Sequence, residues 1–126
     1  MPIINVVDDY ESNRFTLRLM LESAGYDVVE AESGEECLEK LDHIRPDLIL
    51  LDINMKGIDG WEVCRQIKER MPSILVPISM LSALDSKEDI RRSLEYAHAD
   101  AHLKKPVDGK ELLDTVRILL EKCSRT

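Results

Sequence analysis

Short aliphatic runs alternate along this chain with segments whose apolar residues recur at helical spacing. Five runs have the composition of strands: Ile3–Val7, Asp27–Ala31, Asp47–Leu51, Val76–Leu81 and Ala101–Leu103. The segments that follow them have helical periodicity: Glu11–Ala24, Gly34–His43, Trp61–Arg70, Ser86–Tyr96 and Asp108–Lys122. Strict alternation of this kind predicts an α/β domain, because parallel strands must be joined by crossovers that are usually helical.

The third strand run, with the sequence DLILL, is almost wholly apolar. A strand of this composition is expected where helices cover both faces of a parallel sheet. The 126 residues suit one domain with one core. We therefore predict a single domain over residues 1–126 with a flavodoxin-like (βα)5 fold. The strand order 2-1-3-4-5 is expected by analogy, and it fits five strands better than the six-stranded Rossmann sheet does.

Several residues predict where the helices begin and end. Gly25 is placed to end the first helix, and Pro46 prevents the second from continuing. The third helix is expected to stop before Pro72. Ser86 and Asp89 have the spacing of a capping box at the start of the fourth helix.

Each predicted helix carries apolar residues that we expect to face the core. They are Phe15, Leu19 and Met20 in the first, Cys37, Leu38 and Leu41 in the second, Val63, Cys64 and Ile67 in the third, Ile90, Leu94 and Ala97 in the fourth, and Leu112, Leu113, Val116, Leu119 and Leu120 in the fifth. Cys37, Cys64 and Cys123 are odd in number and lack metal-type spacing, which indicates reduced thiols and a cytoplasmic location. Cys37 and Cys64 should be buried and inert.

Charge and hydropathy exclude several classes of function. A net charge of −8, from 17 basic and 25 acidic residues, argues against direct binding of nucleic acid, which requires a basic surface. The apolar runs are too short to cross a membrane, and the N-terminus lacks the pattern of a signal peptide, so we expect no membrane insertion.

The polar residues that could perform chemistry follow the predicted strands. Asp8 and Asp9 follow the first strand, Asp52 the third, Ser82 the fourth and Lys105 the fifth. In a sheet of this order, ligands bind beyond the carboxyl ends of the strands, where the strand order reverses between the first and third strands. The sequence therefore predicts a site with three carboxylates, a hydroxyl and a lysine at one edge of the sheet.

Three carboxylates within a few ångströms cannot all stay ionised without compensation. Mg2+ provides it, because this cation prefers carboxylate, water and phosphate oxygens. One carboxylate could then act as a nucleophile toward phosphorus and form an aspartyl phosphate. A lysine and a serine can stabilise the charge on a transferred phosphoryl group.

The chain resembles the receiver domain of two-component response regulators. The matching segments are VVDDYESNR at Val6–Arg14, LILLDINMKGIDGWEV at Leu48–Val63, PISMLSA at Pro77–Ala83 and LKKP at Leu103–Pro106. Each segment alone would be a weak signal, but their order and spacing agree with the family over essentially the whole chain. The resemblance implies that Asp52 is the phosphoacceptor.

The same resemblance implies roles for the surrounding residues. Asp8 and Asp9, with Asp52 and the backbone carbonyl of Asn54, would bind Mg2+. Lys105 corresponds to the lysine that precedes proline in the family, whereas its neighbour Lys104 does not.

The resemblance also implies a conformational switch. Ser82 would bond the phosphoryl group in the active state, and His102 stands where the family usually has an aromatic switch residue. Lys56 replaces a usual proline, which should leave the loop after Asp52 looser, and His98 stands near a position that is often glycine. By contrast, Asp59 is predicted to be an N-cap or turn residue rather than a catalytic acid.

The implied partners are a histidine kinase or a histidine phosphotransfer protein as donor, and a downstream protein or a second copy as target. The target would bind the face formed by the fourth helix, fifth strand and fifth helix, which includes Lys87, Arg91, Glu95, His102 and Glu111. Asn54 and Leu84 lie two residues after Asp52 and Ser82, and in the resembled family such positions flank the route of the hydrolytic water. Leu84 is apolar and cannot orient water, so self-dephosphorylation should be slow. No output domain is expected in this chain, which would be a stand-alone regulator or a module from a longer kinase or regulator.

Three other functions are weaker interpretations of the same residues. A small Mg2+-dependent aspartyl phosphatase would share the chemistry, but the sequence has no insert long enough for a substrate-covering cap. A flavodoxin-like cofactor binder is disfavoured by the acidic loop VVDDYES. An unphosphorylated scaffold is disfavoured because all five core positions are intact. We therefore expect a self-catalysed phosphoacceptor rather than a turnover enzyme.

Overall fold

Strands and helices alternate along the chain as the sequence predicts. The computed structural model of the protein describes residues 1–71 and 76–124. Its strands are β1 (Ile3–Val7), β2 (Asp27–Ala31), β3 (Leu48–Asp52), β4 (Ile78–Ser82) and β5 (Ala101–Lys104). Its helices are α1 (Glu11–Ser23), α2 (Gly34–Lys40), α3 (Gly60–Arg70), α4 (Lys87–Arg91), which continues as a π-helical turn (Arg92–Tyr96), and α5 (Gly109–Ser124).

The strands form one parallel sheet in the order β2-β1-β3-β4-β5, which confirms the predicted fold class. β1 and β3 are neighbours, and Val7 pairs with Leu51 at their carboxyl ends. The register therefore brings the residues after β1 beside the end of β3. Asp52 and Ser82 are the last residues of their strands rather than the first residues of the following loops.

Helices cover both faces of the sheet, as the apolar composition of β3 predicts. All five residues of β3 are buried. One core cluster joins α2 and α3 to the sheet, and a second joins α1 and α5 to the opposite face. Burial raises the pKa of the Cys37 and Cys64 thiols to about 12, so both are inert at neutral pH, as predicted.

The predicted signals at the end of the first helix and the start of the fourth are confirmed, whereas α2 ends at Lys40, three residues before the predicted His43. Gly25 follows α1 with a left-handed backbone (φ 94°). Ser86 and Asp89 form the capping box of α4. Pro72, which is predicted to stop the third helix, lies outside the described residues. Among the described residues, no helix combines the length and apolar content needed to cross a bilayer.

The predicted inward face of α1 is wrong for two of its three residues, and only Met20 packs against the core. Phe15 and Leu19 are 59% and 51% exposed, and Met20 is only partly buried. Arg14, Leu17 and Leu21 face the core instead. The reason is that ion pairs and a backbone hydrogen bond satisfy the buried guanidinium of Arg14, so the helix can turn its other apolar residues to solvent.

The predicted inward face of the fourth helix is also partly wrong. Leu94 is 42% exposed, whereas Ser93 is fully buried and hydrogen-bonded. After Arg91 the helix widens, and the Ala97 N–H bonds to the carbonyl of Arg92, five residues back. His98 follows in the left-handed region (φ 61°), which explains why glycine suits this position.

Asn5 is a polar residue in the middle of the sheet and provides a test of the packing. It is 2% exposed, its amide nitrogen lies 3.9 Å from the Cys37 sulfur, and its Oδ1 has no hydrogen-bond partner in the part of the chain that the structure describes. Because an unpaired buried amide is destabilising, Asn5→Val should raise the free energy of unfolding by about 1 kcal/mol in urea denaturation. Asn5→Ala should gain less, because it leaves a cavity. A loss of stability in the valine variant would show that Oδ1 has a buried partner.

Candidate functional site

The ends of β1 and β3 bring three carboxylates together, as the sequence predicts. One oxygen from each of Asp8, Asp9 and Asp52 lies within 4.8 Å of the others. Asp8 and Asp52 are 1% and 4% exposed, and Asp9 is half-buried. The cluster is therefore a concentrated negative charge with little access to water.

Lys105 is the cation that faces this cluster. Its Nζ lies 2.7 Å from Asp8 Oδ2 and 3.2 Å from Asp52 Oδ1. Burial opposes the charge on this lysine, but hydrogen bonds and attraction from both carboxylates raise its pKa overall. The Lys105–Pro106 peptide bond is cis. One ammonium group therefore serves two carboxylates, and the cluster retains excess negative charge.

Asp52 is the carboxylate whose proton affinity is most clearly changed. Burial raises its pKa from 3.8 to about 6; Lys105 opposes this rise, and the charge of Asp8 adds to it. The backbone N–H of Asn54 also donates a hydrogen bond that favours the ionised form. A carboxylate held in this way is a stronger base than a free one and is poorly solvated, both of which favour reaction as a nucleophile.

The other two carboxylates are held differently. Asp8 Oδ1 accepts a hydrogen bond of 2.9 Å from the Tyr10 N–H, and its Oδ2 accepts one of 3.3 Å from the Asn13 amide. Asp9 Oδ1 is buried and has no partner among the described residues. An unpaired carboxylate oxygen beside two further carboxylates fits a hard divalent cation such as Mg2+, whose preferred ligands are oxygens.

Ser82 lies at the end of β4, one strand from Asp52. It is 1% exposed, and its hydroxyl oxygen accepts a hydrogen bond of 2.8 Å from the Leu84 N–H. Its carbonyl accepts a bond of 2.8 Å from the Lys105 N–H, which ties the two loops together. A serine hydroxyl can accept one hydrogen bond and donate another, so its proton remains available to an oxygen in the site.

His102 is part of a chain of hydrogen bonds rather than an exposed edge residue. Its Nδ1 lies 2.8 Å from Ser93 Oγ, and its Nε2 lies 2.9 Å from the Leu84 carbonyl oxygen. Ser93 Oγ in turn accepts a bond of 2.9 Å from the Trp61 indole N–H. We call Trp61, Ser93, His102 and Leu84 the indole–imidazole chain. It joins α3, the π-helical turn and β5 to the loop that follows Ser82.

With a neutral imidazole, the three hydrogen bonds of the indole–imidazole chain can form together only if each group donates toward Leu84. The indole N–H can only donate and the Leu84 carbonyl can only accept. Ser93 therefore donates to Nδ1, and His102 donates from Nε2. The neutral Nε2–H tautomer of His102 satisfies every group in the chain.

Other predicted residues lie at the margin of the site. Asn54 and Lys56 are exposed in the loop after β3. The Lys104 side chain is 65% exposed and pairs with Asp85, as expected for a residue outside the site. Asp59 caps α3 by accepting a 2.9 Å bond from the Glu62 N–H, which confirms its predicted role.

Sequence reasoning missed two residues that shape the site. A Cβ at Gly60 would overlap the carbonyl oxygen of Asp52, so only glycine lets α3 begin this close to β3. The sequence signal for this close approach was a glycine at the first position of the helix, directly after the N-cap Asp59. Arg14 donates a 2.7 Å bond to the Asp8 carbonyl, and its signal was an arginine in register with Leu17 and Leu21.

Fold and site together define a class of signalling domain. A parallel sheet of this order, with an acidic cluster, a hydroxyl and a lysine at its carboxyl edge, is the arrangement of a receiver domain. The chain belongs to the response regulator receiver domain family, whose model matches residues 4–117.

Its relatives include longer regulators. The chain is 40% identical over 119 residues to the alkaline phosphatase synthesis transcriptional regulatory protein PhoP of Bacillus subtilis, covering 94% of this chain and 48% of that protein. It is 41% identical over 123 residues to the transcriptional regulatory protein ResD of the same organism, covering 98% and 50%. The chain thus spans about half the length of these relatives.

Solved structures of similar chains have nearly the same length. A CheY-like response regulator receiver domain protein from Methanospirillum hungatei matches with a TM-score of 0.91 at 28% identity, covering 99% of this chain and 98% of that one. The receiver domain of a signal transduction histidine kinase from Syntrophus aciditrophicus matches with a TM-score of 0.90 at 33% identity, covering 100% and 95%.

The raised pKa of Asp52 leads to a prediction about stability. The pKa of Asp52 is raised from 3.8 to about 6 in the folded protein, so between these pH values the folded protein holds a proton that the unfolded chain has released. Raising the pH through this window therefore favours unfolding, and this contribution to stability is lost once the pH has passed 6. Without divalent cations, Asp52→Asn should therefore be more stable than the native protein at pH 8, by on the order of 2 kcal/mol. The advantage should shrink as pH falls toward 4.

Urea denaturation at several pH values in the presence of a chelator measures this effect. Asp59→Asn is the matched control, because Asp59 is an N-cap in the adjacent loop and lies outside the carboxylate cluster. An Asp52→Asn advantage that is absent at pH 8, or that grows as pH falls, would contradict the assignment of a buried, destabilised carboxylate.

Proposed function

We propose that this domain is a phosphorylation-controlled switch that accepts a phosphoryl group on Asp52 from a histidine kinase or a histidine phosphotransfer protein. The observation that carries the proposal is the placement of Asp52: it is buried at the tip of the central strand, 3.2 Å from Lys105 and beside two further carboxylates. The sheet fixes the backbone of Asp52. The side chain lies at the end of β3, at the edge of the sheet where a phosphodonor would approach.

The transfer itself is a displacement at phosphorus. A carboxylate oxygen of Asp52 forms the new O–P bond as the N–P bond of the donor phosphohistidine breaks, and the released imidazole nitrogen keeps the bonding electrons and takes a proton. Lys105, whose Nζ lies 3.2 Å from Asp52 Oδ1, would neutralise a phosphoryl oxygen, and the hydroxyl of the buried Ser82 would donate to another. Mg2+ held by Asp8, Asp9, Asp52 and the Asn54 carbonyl would supply further neutralisation of phosphoryl charge.

The donor has an apolar surface to bind beside the site. Tyr10, Phe15 and Leu19 are 65%, 59% and 51% exposed at the start and along the outer side of α1. Next to them lies a groove of about 420 Å³, lined by residues of α1 and of the loop after β5, including Lys105 and Pro106. A donor that covers these side chains would place its phosphohistidine near Asp52.

The target would bind the face formed by α4, β5 and α5. Lys87, Arg91, Glu95 and Glu111 are exposed there, whereas His102 is half-buried in the indole–imidazole chain. Ser82 Oγ, at the end of β4, accepts a hydrogen bond from the Leu84 N–H, and the Leu84 carbonyl bonds to His102. Movement of Ser82 toward a phosphoryl group would therefore pull on Leu84 and His102, and a two-state element biased by phosphate would result.

The longer context is a separate part of the proposal. Relatives named as transcriptional regulators are about twice as long as this chain, so DNA binding in such a protein would belong to residues outside the part that matches. With a net charge of −8, this domain itself is proposed to contact a downstream protein or a second copy rather than nucleic acid. A module from a longer kinase is the alternative, which the Syntrophus match illustrates.

Intact mass measurement after incubation with acetyl phosphate and Mg2+ tests the proposed acceptor. We expect the mass of one phosphoryl group to be added to the native protein and to Asp59→Asn, but not to Asp52→Asn. A phosphoryl gain that survives Asp52→Asn would sink the assignment. Sustained hydrolysis of a phosphomonoester would instead support the small aspartyl phosphatase that shares this chemistry.

The lifetime of the phosphorylated species follows from the same experiment. Leu84 packs against the core cluster of α2 and α3 and offers no polar group to orient water, so we propose slow self-dephosphorylation. The mass signal should persist after the donor is removed. Rapid decay that Leu84→Glu leaves unchanged would contradict this proposal.

Trp61 allows the proposed switch to be measured directly, because it is the only tryptophan. Phosphorylation should shift or quench its emission as the indole–imidazole chain rearranges. Ser93→Ala breaks the chain at its centre, and it should change the emission before phosphorylation and weaken the later response. Ser79→Ala is the control, because Ser79 is equally buried but its hydroxyl donates to the Met80 carbonyl and is not part of the indole–imidazole chain. Equal responses in both variants would rule out the chain as the link.

A further inference from the structure

We propose that Arg14 is a positioning residue that fixes the peptide group between Asp8 and Asp9 and thereby sets the affinity of the acidic cluster for Mg2+. This inference rests on the proposed function, because it concerns the same site. It adds a residue from the buried face of α1 whose side chain lies behind the carboxylates rather than among them.

Arg14 lies on the inward face of α1, and the inward face of a helix usually carries apolar residues. It is 7% exposed and shares the inward face of α1 with Leu17 and Leu21. Its Nη1 donates to the Asp8 carbonyl oxygen at 2.7 Å, and its Nε donates to Glu30 Oε1 at 2.9 Å. A buried guanidinium is costly unless it is paired and hydrogen-bonded, and here both requirements are met.

The carbonyl that Arg14 contacts belongs to the peptide bond that links the two carboxylate residues. The Asp8 N–H is held as well, by the Ala31 carbonyl at 3.1 Å. Because a peptide group is planar, fixing its carbonyl also fixes the direction in which the backbone enters Asp9. Asp9 Oδ1 has no side-chain or backbone partner among the described residues, so its position depends on that backbone.

Glu30 neutralises the positive charge of Arg14, which would otherwise repel a Mg2+ ion bound by the acidic cluster. Burial alone would raise the pKa of Glu30, but hydrogen bonds from Arg18 and Arg14 lower it overall, so Glu30 stays ionised. The charge of Arg14 is thereby balanced on the side away from the cluster. The exposed Glu32 lies 3.7 Å from Arg14 and adds to this balance.

The geometry requires arginine rather than lysine. Nε bonds to Glu30 on β2 while Nη1 bonds to the backbone after β1, so the planar fork holds two elements at once. A lysine has one ammonium group on a flexible stem, and it cannot reproduce both contacts with fixed directions. Loss of the fork should therefore loosen the Asp8–Asp9 peptide even where the positive charge remains.

Calorimetric titration of the folded protein with Mg2+ tests the inference. Residues that orient metal ligands from behind typically change affinity by about 10-fold to 100-fold when they are replaced. We expect Arg14→Lys and Arg14→Met to weaken Mg2+ binding by about 10-fold or more. At saturating Mg2+, the rate at which acetyl phosphate phosphorylates these two variants should return toward that of the native protein.

Arg18→Met is the matched control. Arg18 lies one turn along α1 and pairs with the same Glu30 at 2.6 Å, but it does not contact the backbone of Asp8. Its replacement should leave the Mg2+ affinity within about twofold of the native value, since this partly exposed ion pair does not hold the peptide group between Asp8 and Asp9. Equal affinities for Arg14→Met and Arg18→Met would overturn the inference.

A double variant guards against a simple folding defect. Arg14→Met combined with Glu30→Gln removes the buried guanidinium and the charge of its half-buried partner, so neither group is left with an unpaired charge. Circular dichroism would confirm its fold, and it should still bind Mg2+ weakly if the bond to the Asp8 carbonyl matters. Native affinity in this folded variant would contradict the inference. Failure of the native protein to bind Mg2+ or to become phosphorylated on Asp52 would instead reject the proposed function.

Discussion

The structure depends on keeping one carboxylate charged where water scarcely reaches it. Asp52 ends β3, the strand with two strands on either side of it, and it is 4% exposed. Desolvation disfavours its charge, and Lys105 and the Asn54 N–H offset only part of this cost. The remaining negative charge of the cluster is what a cation or a phosphoryl acceptor site requires. The apolar residues that precede Asp52 make this possible, because a strand packed on both faces cannot tilt its last residue away from the site.

Much of this arrangement could be predicted from the sequence, for a physical reason. Parallel strands all end at the same edge, so residues that are distant in the chain, such as Asp8 and Lys105, meet whenever they follow strands. Strand ends are marked by an abrupt change from aliphatic to polar residues, and that change is visible without a structure. The strand order was predicted by analogy with flavodoxin-like sheets and not from the apolar pattern, and the observed order confirms it. The register pairs Val7 with Leu51.

The inward faces of α1 and the fourth helix could not be predicted in the same way. Apolar periodicity assumes that polar residues face solvent, and Arg14 and Ser93 break that assumption. Their partners, Glu30 and Trp61, lie 16 and 32 residues away in the chain. No local pattern indicates such pairs. A buried polar residue that displaces an apolar one to the surface needs a specific partner, and at both helices the buried residue also bonds toward the site, Arg14 to the Asp8 carbonyl and Ser93 to His102.

Two polar networks reach the site from different elements. Arg14 holds the backbone of the acidic pair from the β2 side, where Glu30 anchors it. The indole–imidazole chain holds the loop after Ser82 from the opposite side, through His102 and Ser93. If the first network fixes the ligands and the second yields when the phosphoryl group arrives, binding and signalling use different hydrogen bonds. A rigid acceptor and a movable reporter can then share one small sheet, because movement of the loop after β4 need not disturb the carboxylates after β1.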